Sequence, residues 1–232
     1  TIIIVLFLLV FFTCSIPILA VDWVIRKFNP KFSAHAQLRI VQWVFRMICF
    51  FSGINLTVIG RENIPTDRAV LYIGNHRGFF DTIITYMLCP GLTGYISKSS
   101  LKKVPLLSTI MKRLYCLFLD RDDIKQNLQV ILTAIEQVKI GISICIFPEG
   151  TRNKDVEHPE SLLPFKDGSF KIAQKSGCPI IPMAMIGTAE VFENQFPWVK
   201  KNDVTLVYGK PIYMNELDKE DQKHIGAYCQ NV

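Results

Sequence analysis

The sequence predicts an α/β fold: a largely parallel central sheet flanked by helices, preceded by an N-terminal membrane-anchoring helical segment. Three observations carry this expectation. From residue 69 onward, short apolar runs alternate with helix-length polar–apolar segments, the pattern of a parallel sheet with crossover helices. Several runs end directly on a charged or polar residue. Residues 2–21 contain no charged side chain.

Taken in order, the first element is the uncharged run. At ~1.5 Å rise per residue it spans ~30 Å of hydrocarbon, which predicts an anchor. Pro17 falls near its end, where a membrane helix tolerates it. A cleaved signal peptide is the rival reading. It calls for a basic start and a small-residue cleavage site, but Thr1 opens the run directly and no clear site follows. Arg26, Lys27, Lys31 and Arg39 come next, so the positive-inside rule predicts that the bulk of the protein faces the cytoplasm. Residues 40–59 form a second apolar stretch, interrupted by Gln42 and Arg46. It reads as an interfacial or re-entrant helix with Trp43, Phe50 and Phe51 at headgroup depth, or as a helix of the soluble core. The expected division is an anchor and interfacial helix over 1–50 and one α/β domain over 51–232.

Within that domain the pattern predicts strands at 69–74, 94–97, 114–119, 143–147, 180–186 and 204–208. Helices are predicted from Asp81 to Leu88, from an Asp122 or Asp123 cap through Lys139, and over 169–176. Gly141 and Gly177 stop the last two. His76, Lys98, Arg121, Glu149 and Arg152 each fall just past a predicted strand end. In open α/β sheets that edge forms the ligand site, so parallel strands would bring these five groups to one rim.

Composition limits the functions available. Half the residues are hydrophobic, and the mean hydropathy is +0.27. A net charge of +6 is too small to argue for nucleic acid and suits anionic lipid headgroups or a phosphorylated substrate. The seven cysteines are scattered, mostly within apolar runs, with no zinc or redox spacing, and read as buried thiols. No His, Cys or carboxylate cluster has metal-ligand spacing. Lys102, Lys103, Lys112 and Arg113 surround the apolar segment 104–111, either a helix resting on anionic lipid or a solvated basic face.

Two segments carry chemistry. In Asn75-His76-Arg77-Gly78-Phe79-Phe80-Asp81, an Asp follows a His by five positions. On a continuous helix that spacing separates side chains by ~140°, so the two meet only if Gly78 lets the chain turn before the next helix. A carboxylate there would hold the imidazole Nδ1 proton and leave Nε2 free as a base. The plain alternative is a capping or core histidine and an N-cap aspartate. In Phe147-Pro148-Glu149-Gly150-Thr151-Arg152, Pro148 ends the strand and Gly150 permits a tight turn. Arg152 then offers a planar fork for phosphate. Glu149 could hold an arginine or accept from a substrate hydroxyl. The bland reading is a surface Glu–Arg pair. No Gly-x-Ser-x-Gly elbow is present, and Cys145 lies inside a strand. Backbone N–H groups near Gly78 or in 182–187 are candidates for an oxyanion site.

These two segments resemble the first and third blocks of the glycerolipid acyltransferases, the 1-acylglycerol-3-phosphate acyltransferases. Lys98-Ser99-Ser100-Leu101-Lys102-Lys103-Val104-Pro105 resembles the second block, and Ile180-Ile181-Pro182-Met183-Ala184-Met185 the fourth. Phe118-Leu119-Asp120-Arg121 and the segment 164–170 fit between and after them. The likeness covers about residues 55–212. Ser108 and Asn153 depart from residues frequent in the family.

The resemblance implies His76 as general base and Asp81 as its orienter. It implies Lys98, Arg121, Glu149, Gly150, Thr151 and Arg152 as the acceptor-binding group. It further implies a lysophospholipid acceptor, an acyl-CoA or acyl-ACP donor as co-substrate, no metal or cofactor, and the membrane as a partner. Acyl carrier protein is a possible partner, and nucleic acid is not. The expected place is a membrane, with the catalytic domain on its cytoplasmic face, the inner membrane if the source is bacterial. Lysophosphatidate is the leading acceptor. Another lysophospholipid, glycerol-3-phosphate, hydrolysis without an acceptor, and a non-catalytic lipid-binding role are the alternatives.

Overall fold

The computed structural model describes residues 1–120, 123–158 and 161–232. Among these, seven strands run in chain order: β1 (Asn55–Ile59), β2 (Leu71–Gly74), β3 (Thr93–Lys98), β4 (Leu117–Leu119), β5 (Ser143–Ile146), β6 (Ile180–Ile186) and β7 (Asp203–Tyr208). They form one sheet in the order β1-β7-β6-β2-β5-β3-β4. All neighbours are parallel except β6 and β7.

Helices cover both faces. The chain starts with α1 (Ile2–Phe28) and α2 (Pro30–Ser52), followed by α3 (Phe79–Leu88), α4 (Pro105–Arg113), α5 (Ile124–Lys139), α6 (Lys171–Ser176), α7 (Lys219–Lys223) and α8 (Ile225–Asn231). Alternation along β2 explains the layering. Tyr72 enters a core with Leu38, Val44 and Ile48 of α2 and Ile84 of α3. Leu71 and Ile73 enter the other core, with Ala134 and Ile135 of α5, Ile172 of α6 and Ile225 of α8. Buried on both faces, the central strands read as unbroken apolar runs, as parallel strands do.

The structure resolves the second apolar stretch into two elements. α2 continues to Ser52 and ends at Gly53, whose φ of 69° is left-handed. Residues 55–59 are a strand, not helix, and pair with β7. The alternating burial of β1 suits an edge strand. α2 is a core helix on its inner face. Its Gln42 is buried and donates to the carbonyls of Cys89 (2.8 Å) and Tyr86 (3.4 Å) at the end of α3. The third predicted strand shrinks to Leu117–Leu119, because Leu114 closes α4 and Tyr115 turns with φ 62°.

α1 is long and apolar enough to cross a membrane. It also touches the domain near both ends. The Oγ1 of Thr1 accepts from the Val199 N–H (2.6 Å). Arg113 on α4 donates to the Leu19 carbonyl (3.3 Å) and to Asp22 (2.6 Å). The buried Asp22 carboxylate also accepts from Ser33 and Gln37 of α2, each at 2.6 Å. A charge inside an apolar helix is thus fully paired. Ile3, Leu6, Val10 and Val21 of α1 stay exposed.

Candidate active site

β2, β3 and β5 run parallel, so their C-terminal ends share one edge of the sheet. The chain leaves β2 at a fixed angle. Both ends of the Asn75 side-chain amide pair with the backbone of Met185 in β6, each at 2.8 Å. His76 follows and is held on every side. Its N–H donates to Glu149 Oε1 (2.7 Å), and its carbonyl accepts from the Asn153 N–H (2.7 Å). Its ring stacks on Phe147 with centroids 4.3 Å apart and planes 11° from parallel.

The imidazole Nδ1 lies 2.8 Å from Asp81 Oδ2. Asp81 is fully buried in the first turn of α3. The same oxygen accepts from the N–H groups of Arg77 (2.6 Å) and Gly78 (2.7 Å). This carboxylate occupies the positive end of the helix, where orphan N–H groups and the helix dipole favour an anion. A carboxylate only accepts, so Nδ1 carries the proton and Nε2 of the neutral ring keeps its lone pair. The His side chain is 21% exposed, enough for a ligand to reach it.

Three sequence expectations change here. α3 begins at Phe79, two residues before Asp81. Gly78 has φ −155°, extended backbone open to any residue. Glycine matters here for space instead: a Cβ there would stand 2.4 Å from Oε2 of Glu193, so that carboxylate would have to shift. The N–H groups of residues 77–79 also cannot serve an oxyanion. Two go to Asp81, and that of Phe79 goes to Glu193 Oε1 (2.8 Å).

Glu149 sits past the end of β5, 4% exposed. Its carboxylate braces backbone rather than an arginine: Oε1 takes the His76 N–H and Oε2 the Leu163 N–H (3.1 Å). Burial pushes its pKa up, and these two amide bonds offset part of that rise. Gly150 makes the tight turn with φ 69°, and a Cβ there would meet Lys166 Nζ at 2.9 Å. Thr151 is exposed beside it. Arg152 lies with its guanidinium carbon 4.5 Å from the centre of the Phe79 ring, and one N–H group donates to Glu193 Oε1 (3.0 Å).

Lys98 closes β3, paired with Leu119 of β4 through its backbone, its side chain exposed and making no hydrogen bond or ion pair to any described residue. Ser99 after it donates to Asp120 past β4 (3.2 Å). Arg121 lies outside the described residues. The structure therefore brings His76, Asp81 and Glu149 into direct contact. It joins Arg152 to them through Glu193 and Phe79, and it puts Lys98 on the same edge.

Sequence reasoning missed Glu193 and the part played by Asn153. Asn153 is buried, fixes the His76 carbonyl, and donates to the Ser161 carbonyl (2.8 Å), tying the loop after β5 to His76. Its position next to the Glu-Gly-Thr-Arg segment was the available signal. Glu193 lies on a short 3-10 turn, Glu193–Gln195, with no motif around it. Cys145 is buried inside β5, where desolvation pushes its thiol well above the ordinary range, so it is no nucleophile.

The Acyltransferase family matches residues 55–186. The chain is 34% identical over 161 residues to a chloroplastic 1-acyl-sn-glycerol-3-phosphate acyltransferase of Brassica napus, a match covering 68% of this chain and 45% of that one. It is 28% identical over 200 residues to the 1-acyl-sn-glycerol-3-phosphate acyltransferase of Saccharomyces cerevisiae, covering 83% of this chain and 64% of that one. It thus spans about half to two-thirds of the length of these relatives. The fold matches the crystal structure of the 1-acyl-sn-glycerophosphate acyltransferase of Thermotoga maritima with a TM-score of 0.78 at 22% identity, over 99% of this chain and 92% of that one. The chain belongs to the Acyltransferase family.

Proposed function

We propose that this protein transfers a fatty acyl group from a thioester, acyl-CoA or acyl-ACP, to the free hydroxyl of a lysophosphatidate, giving phosphatidate. The observation that carries the reading is the 2.8 Å bond between His76 Nδ1 and the buried Asp81 carboxylate, which leaves Nε2 as a base at the sheet edge. Nε2 takes the hydroxyl proton as the oxygen attacks the thioester carbonyl. The tetrahedral intermediate then collapses, the C–S bond breaks, and the imidazolium returns the proton to the thiolate. A thioester is already activated, so alignment and deprotonation suffice without a covalent enzyme intermediate or a cofactor.

In this reading Arg152 and Lys98 face the acceptor's phosphate, Arg121, outside the described residues, is assigned to bind it as well, and Gly150 and Thr151 shape the turn that presents Arg152. Glu149 acts indirectly, by fixing the backbone on which the His76 ring is mounted. The outward side of α1 attaches the protein to the membrane, with the catalytic domain on the cytoplasmic face.

The names of the relatives favour lysophosphatidate over other acceptors. An acceptor panel with one acyl donor tests this. Lysophosphatidate should be acylated at least ~10-fold faster than glycerol-3-phosphate or a choline lysophospholipid, since only a lipid phosphate monoester satisfies both the cationic edge and the membrane. Equal rates for all, or fatty acid released without acceptor, would refute it.

A further inference from the structure

Glu193 lies outside the segment matched by the family and outside every motif in the sequence. Its side chain nevertheless joins the two halves of the site. One oxygen, Oε1, accepts from the Phe79 N–H at 2.8 Å and from Arg152 at 3.0 Å. The first bond ties it to the turn that carries His76 and Asp81. The second ties it to the arginine of the other block. Oε2 is buried without a hydrogen-bond partner among the described residues and lies against Gly78, where a Cβ would stand 2.4 Å away. Phe192, the preceding residue, packs on Phe79 with ring centroids 6.1 Å apart, and Phe79 in turn carries the Arg152 guanidinium.

The guanidinium is therefore fixed by one edge and by one face. A planar fork with five N–H donors keeps others for a ligand. Left alone, a long arginine side chain at the surface samples many rotamers and loses that freedom on binding.

We propose that Glu193 is the positioning residue for Arg152: it holds one edge of the guanidinium against the His76–Asp81 turn so that the rest of the fork faces the acceptor's phosphate. The inference rests on the reading of Arg152 as a phosphate-binding group. Burial pushes the Glu193 pKa up, and its bonds to Phe79 and Arg152 offset part of that rise, as expected for a carboxylate kept in place by its partners.

The test uses a short-chain 1-acylglycerol-3-phosphate. Its Kd is measured by calorimetry, with KM and kcat, for wild type, Glu193→Ala, Glu193→Gln, Arg152→Ala and the double variant Arg152→Ala/Glu193→Ala. Glu193→Ala should raise Kd and KM about tenfold, the scale of a lost hydrogen bond to a charged group, with kcat within about twofold. Glu193→Gln keeps an acceptor oxygen and should recover most of the affinity. Adding Glu193→Ala to Arg152→Ala should cost nothing further, because a residue acting through another is silent once that partner is gone. Additive losses in the double variant, or a lowered Tm with unchanged Kd, would overturn the inference alone. A Kd indifferent to Arg152→Ala would overturn the phosphate reading and the inference together.

Discussion

One oxygen of Asp81 gathers the His76 imidazole and the backbone N–H groups of Arg77 and Gly78, all within 2.8 Å. The turn that presents His76 and the carboxylate that holds its ring are thereby a single unit. The five-residue spacing works because the intervening backbone wraps around the carboxylate rather than continuing as helix.

Asp81→Asn tests that unit. The amide keeps the shape, but its NH2 can donate and its oxygen is a weaker acceptor, so the preference for Nδ1–H is lost. Turnover should fall about 10²–10⁴-fold with little change in acceptor KM, by analogy with orienting aspartates in other His-based sites. Steady-state kinetics against both substrates checks it. A loss confined to KM would show that Asp81 shapes the acceptor pocket instead.

Gly78→Ala separates steric from conformational demand. The backbone there suits any residue, so the effect comes from the clash with Glu193. The carboxylate cannot move without loosening its bonds to Phe79 and Arg152. A cost of about 1–3 kcal/mol in thermal unfolding is expected, with a raised acceptor KM. Shortening Glu193 to Ser in the same chain should restore stability but not KM.

What the sequence disclosed, and what it hid, follows from the range of the interactions. His76 and Glu149 were legible because each ends an apolar run on a polar residue, a local signal. β1 was hidden because Leu56, Val58 and Ile59 follow an apolar helix with no Pro or charged break, and only pairing with β7 makes them a strand. Glu193 was hidden because its bond to Phe79 joins residues 114 positions apart. The brace role of Glu149 was equally invisible, since its partners are backbone N–H groups of His76 and Leu163 that any sequence would supply.

Glu149 also gives a pH prediction. Its pKa is raised in the folded chain above the unfolded value of about 4.3. The native state then binds more protons than the unfolded state across that interval, so stability from this group is present below it and is lost as pH rises through the folded value. Thermal unfolding of wild type and Glu149→Gln from pH 4.5 to 7 should show the wild type losing ground relative to the variant as pH rises. A constant gap would mean that Glu149 does not titrate differently on folding.

Arg113→Met tests the tie between α1 and the domain. Among the described residues, it leaves the buried Asp22 with Ser33 and Gln37 as its side-chain partners. Removing one member of a buried pair costs about 3–5 kcal/mol. Limited proteolysis in detergent should cut the variant near the junction of α1 and α2 faster than wild type, while Asp22→Asn/Arg113→Met should be cut more slowly than the single variant. Equal cleavage of all three would show that the pair contributes nothing to docking.

The most direct test of the account is acyl transfer from a labelled thioester to lysophosphatidate by purified wild type and His76→Ala. With His76 as the proposed base, held by Asp81 at 2.8 Å, turnover should drop at least ~10³-fold in the variant while lysophosphatidate still binds. Turnover by His76→Ala within tenfold of wild type would contradict it.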